Sequence, residues 1–180
     1  MAVANKKILL AGLASVVFGL GLSQMTLAAD QAEPALRKAL PGNASSEAIS
    51  PERIKKDYWL AFRMAKYEWL DKVVEADPRI VAAICSHSYP ARQLAMHRHL
   101  DKIAEADHYT CRRICQWEGA TQKLIRNPMA DKVIALDPQG MAFAMNRKPE
   151  YGRLIARHPM FNNLADTSRD FPREMQKHIR

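Results

Sequence analysis

The stretch Leu70-Asp71-Lys72-Val73-Val74-Glu75-Ala76-Asp77-Pro78 returns thirty residues later as Leu100-Asp101-Lys102-Ile103-Ala104-Glu105-Ala106-Asp107-His108, and again as Ala130-Asp131-Lys132-Val133-Ile134-Ala135-Leu136-Asp137-Pro138. The same register lays Ile84 on Ile114, Cys85 on Cys115, and Leu94 on Leu124 and Leu154. Similarity that extends through whole stretches is an internal repeat, and a repeat constrains architecture more tightly than activity, because each unit must stack on its neighbours.

Within the repeat, X-Pro pairs fall at Asp77-Pro78, Tyr89-Pro90, Asn127-Pro128, Asp137-Pro138, Lys148-Pro149 and His158-Pro159. Proline stops one helix and suits the first turn of the next, and a preceding Asp or Asn can cap the freed N–H groups. Each 30-residue unit therefore reads as about three short helices. With no clear apolar/polar alternation to suggest a strand, the expectation is an all-α, short-helix repeat array resembling an α-solenoid, of about three units. The ladders Val73/Ile103/Val133, Ile84/Ile114 and Leu94/Leu124/Leu154 should point inward.

Outward from the repeat, residues 1–29 read as a signal peptide: Lys6 and Lys7, an apolar run from Ile8, and small residues near Ala28 and Ala29. Retention as a membrane anchor is the alternative, and no later apolar stretch is long enough to span a bilayer. Residues 30–50 form a flexible lead-in, rich in Ala, Glu, Pro and Ser. Ser50-Pro51 starts a helix carrying the stripe Ile54, Tyr58, Phe62, Ala65, Trp69 and Val73, with 51–69 as an N-terminal capping helix. Residues 70–168 hold three units and a partial fourth, and 169–180 form a C-terminal cap.

The alternation of Asp-Pro, an aliphatic residue six positions on, a second X-Pro and then leucine resembles bacterial leucine-rich-variant repeats and, more loosely, HEAT-like repeats. The resemblance covers residues 70 to about 165, although these units are longer than the leucine-rich-variant ones. It implies a curved helical stack used for binding and supplies no catalytic residue.

Loss of Lys6 and Lys7 with the leader lowers the formal charge from +8 to +6. The basic residues are spread along the chain, which argues against nucleic acid and for solubility with some attraction to acidic surfaces. Lys72, Lys102 and Lys132 are candidate partner-binding residues for an envelope protein or acidic polymer; a solvated helix face, balanced by Glu75, Glu105 and the capping aspartates, is the favoured reading. Trp59, Trp69 and Trp117 read mainly as core at helical spacing, with Trp117, if exposed, a candidate anchor for a partner.

Histidine and cysteine gather in the middle of the chain. His97, His99, Cys111 and Cys115 could hold copper or zinc, although no recognised metal spacing is present. Cys85 and Cys111 are the better-placed pair for a disulfide, with burial of all three thiols as the alternative. Nucleophile elbows, phosphate loops and CxxC motifs are missing. The sequence thus points to a periplasmic or secreted, non-catalytic binding or accessory module without a cofactor. A periplasmic metal or cofactor carrier is the competing class.

Overall fold

The computed structural model describes residues 49–167 and 171–176. The chain divides between Ser45 and Ser46, and every described residue belongs to the second compact part. The signal peptide and nearly all of the lead-in lie outside the described residues.

The protein is all-α: thirteen helices and no strand occur among the described residues. They are α1 (Pro51–Lys56), α2 (Tyr58–Ala65), α3 (Leu70–Ala76), α4 (Arg79–Ile84), α5 (Ser88–Leu94), α6 (Leu100–Ala106) and α7 (Thr110–Ile114). Then follow α8 (Glu118–Ile125), α9 (Ala130–Leu136), α10 (Pro138–Arg147), α11 (Glu150–Ala156), α12 (Met160–Thr167) and α13 (Phe171–Gln176). Helices this short are marginal alone, so packing must hold them.

Local chemistry sets the boundaries. Ser50 Oγ accepts from Arg53 N at 3.2 Å, with Pro51 at the first helical position. Asp57 then ends α1 and caps α2, accepting from Leu60 N at 3.0 Å. The single helix expected from Pro51 to about Ala76 is therefore three helices, broken at Asp57 and again at 66–69. Asp77 accepts from Arg79 N, Asp107 from Tyr109 N and Asp137 from Gly140 N, all through the side chain.

The 30-residue spacing persists in the contacts, because each helix packs on the one three places ahead. One row runs α3, α6, α9, α12; a second α1, α4, α7, α10, α13; a third α2, α5, α8, α11. Equivalent positions fill the core between rows. Val81, Cys111 and Met141 are buried at one such position, and Cys85, Cys115 and Met145 at another. The cysteines thus stand where other stretches use apolar side chains, and burial suits a thiol as a small hydrophobe.

Two expected ladders need correction. Val73 is only half-buried, and Val74 turns inward instead. Leu154 is 49% exposed, while Ile155 is fully buried beside the place of Leu94 and Leu124. The cause lies in α10, which runs on to Arg147 where α7 ends at Ile114. That extra turn shifts the following helix by one residue.

The N-terminal stripe is also displaced, since Leu60, Ala61, Met64 and Ala65 face the core while Trp59 and Trp69 are exposed. At the other end, the segment expected as a polar cap contributes Phe171 to the core, and α13 packs on α10 and α12. Residues 168–170 and 177–180 lie outside the described residues.

Candidate functional site

Two lysines of the candidate row carry ion pairs. Lys72 Nζ meets both carboxylate oxygens of Glu75 at 2.9 and 3.0 Å, and that bond raises its pKa. Lys132 Nζ reaches Asp101 Oδ2 at 3.2 Å. Lys102 is exposed, with no ion pair among the described residues. Trp117 is half-buried, and its indole N–H donates to the Cys85 carbonyl at 2.7 Å, so it ties two neighbouring sets of helices together.

Structure separates the His/Cys cluster. Cys111 Sγ and Cys115 Sγ approach to 4.0 Å, and the His97 and His99 rings are 6.0 Å apart between centroids. No group of three His, Cys, Asp or Glu residues among the described residues is arranged to hold a metal. His97 is buried; its Nε2 donates to the Tyr67 carbonyl at 2.9 Å, and its Nδ1 accepts from His99 N at 3.1 Å. Both ring nitrogens are thereby occupied.

Cys85 and Cys111 are not joined: all three cysteines are free and buried. Burial pushes the Cys85 thiol well up, and the Cys115 contact together with burial does the same for Cys111. A raised thiol pKa withholds the thiolate that both metal binding and disulfide exchange require.

What the fold leaves outside is an aromatic ridge on α2 and α5. Trp59, 66% exposed, meets Tyr58 edge-on at 5.4 Å and Phe62 edge-on at 6.1 Å. Phe62 stacks on Tyr89 at 5.5 Å, and Tyr58 touches the His87 ring at 5.6 Å. His87 Nε2 in turn donates to the Lys55 carbonyl at 3.1 Å, which anchors the ridge to the end of α1.

Basic side chains occur on α1, on and just after α2, and on α5. Lys55, Lys56, Arg63, Lys66 and Arg92 are exposed, and Lys66 Nζ lies 5.3 Å from the Phe62 ring centre. Lys66 follows Phe62 by four residues, the spacing that brings side chains together on a helix surface, and Arg63 stands at the same spacing from Trp59 in the sequence. The rings support one another at preferred aromatic separations. The ridge is thus a preformed aromatic surface with one cation, Lys66, resting on it.

The ridge could have been found by extending the register backwards. Leu60 and Met64 stand 30 residues before Pro90 and Leu94, and all four are buried. Applying that spacing turns Tyr58, Trp59 and Phe62 to the outside, whereas a stripe assigned from local periodicity alone places Tyr58 and Phe62 within.

The chain matches no protein-family description, no curated protein and no solved structure in the corresponding comparisons.

Proposed function

We propose that this protein is a non-catalytic binding module, exported to the periplasm or beyond, whose aromatic ridge docks an acidic protein of the cell envelope. The observation that carries this reading is the Tyr58/Trp59/Phe62/Tyr89 cluster, with Tyr58, Trp59 and Tyr89 exposed and the Lys66 ammonium over the Phe62 ring. Exposed Trp and Tyr have the composition of an interface hot spot. The Lys66 cation favours a negatively charged partner and speeds its approach.

Three further features support this setting. The leader-like residues 1–29 suit export, the three-helix spacing of the contacts suits a helical repeat array built for binding, and no described helix is long and apolar enough to cross a membrane. Isolation of partners from the envelope fraction, followed by affinity measurement with the purified partner, tests the reading. Trp59→Ala and Tyr89→Ala should each weaken binding about tenfold or more with the thermal midpoint unchanged. Added salt should slow association. Equal affinity of wild type and both variants refutes docking at the ridge.

A further inference from the structure

We propose that the cleft between α8 and α11 is a separate binding site for a small monocarboxylate carrying a hydrocarbon body. The cleft has a volume of about 310 Å³ and is lined by Ile125, Arg126, Tyr151, Leu154 and His158, among others. That volume lies at the lower end of the range for small-ligand sites, about 300–1,000 Å³.

Its origin is the one-residue shift that follows the long α10. At the position held by Leu60, Pro90 and Ala120 in the earlier helices of the row, the shift brings in the buried Tyr151. A phenol ring needs more room than an alanine or a proline, and α11 packs on α8 less extensively than α8 packs on α5. The same shift turns Leu154 away from the core and onto the cleft wall, opposite Ile125. Two aliphatic side chains and an aromatic ring therefore form an apolar wall.

The polar groups define the other end of the ligand. Lys148 also borders the cleft, but its ammonium pairs with Glu118 and lies 3.7 Å from Glu150. Arg126 is exposed, and its guanidinium has no ion pair among the described residues. His158 Nδ1 accepts from Met160 N at 3.2 Å, which leaves Nε2 as a donor in the neutral ring. One uncompensated cation with one neutral donor matches a singly charged carboxylate. The nearby carboxylate of Glu150 disfavours a doubly charged anion.

Titration of the full chain with sodium octanoate, followed by amide NMR, tests the site; 1-octanol and acetate serve as the probes lacking charge and hydrocarbon body. The expected result is saturable shifts at 122–126 and 148–158, with both control probes binding about tenfold more weakly or worse. Arg126→Gln should weaken octanoate about tenfold while leaving 1-octanol unchanged, and Arg126→Lys should restore part of the loss. Leu154→Asn should weaken both. Both residues are exposed, so the fold survives their substitution. Shifts that do not saturate, shifts centred on the aromatic ridge, or undiminished octanoate binding by Arg126→Gln would overturn the proposal.

Discussion

The side-chain amide of Asn127 lies 2.9 Å from the Ala95 carbonyl and 3.3 Å from that of His97, donating to backbone thirty or more residues behind it. Its own oxygen accepts from Met129 N at 2.8 Å. Asn127→Ala leaves these buried groups without their partner and should cost about 2–3 kcal/mol. Asn127→His should recover part of that, because His97 performs the same bridging one register earlier. Urea denaturation of the two variants measures both values.

Gly140 and Gly119 should respond oppositely to alanine. A Cβ on Gly140 would fall 2.5 Å from Arg112 N and 2.7 Å from Arg112 Cα, where α10 crosses the backbone of α7. Backbone cannot step aside cheaply, so Gly140→Ala should lose about 1–3 kcal/mol or more. On Gly119 the nearest atom is the flexible end of Arg92 at 3.9 Å, and the helix should gain up to about 1 kcal/mol. Thermal midpoints moving in opposite directions verify the pair.

Burial lowers the pKa of His97, against the opposing influence of the Tyr67 carbonyl and Asp71; His99 and Arg98 push the same way as burial. The unfolded chain therefore takes up this proton first as pH falls. The stabilising contribution is complete above the ordinary histidine value of about 6.5 and is lost as pH drops from there towards the depressed folded value. Urea midpoints between about pH 7.5 and 5 should decline more steeply for the wild type than for His97→Asn.

Thiol chemistry offers a fourth check. With Cys85, Cys111 and Cys115 buried, and the first two raised in pKa, alkylation at mildly alkaline pH should be slow in the native protein and rapid in denaturant. Mass spectrometry counts the modified thiols. Fast modification of all three under native conditions would contradict their placement in the core.

Adjacent positions on α11 should differ sharply. Ile155 is fully buried and Leu154 is 49% exposed. Ile155→Ala should cost about 2–5 kcal/mol and Leu154→Ala less than about 0.5 kcal/mol, as read from chemical denaturation.

Much of this architecture was legible in the residues. Recurring Asp77, Asp107 and Asp137 and the prolines around them marked where helices begin, since capping and the missing proline N–H act locally. Leu154 was misplaced because an internal extension of α10 has no punctuation of its own: Met145 to Lys148 reads as readily as loop as helix. The bond that Trp117 makes was hidden for a different reason. An indole donor aimed at a carbonyl 32 residues away leaves no trace in sequence. The ridge was missed because Tyr58, Trp59 and Phe62 have the apolar character of core residues, and only the longer register reveals their outward turn.

Among the described residues, the side-chain bridges to distant backbone carbonyls run one way along the chain. His87 reaches back to Lys55, His97 to Tyr67, Trp117 to Cys85, Asn127 to Ala95, and Arg147 to Gln116, in each case from side chain to an earlier carbonyl. Every set of helices is therefore sealed by its successor. Until the following thirty or so residues are in place, water must occupy each of these carbonyls. A break at these bridges would therefore leave unmet carbonyls on the earlier side and loose side-chain donors on the later one.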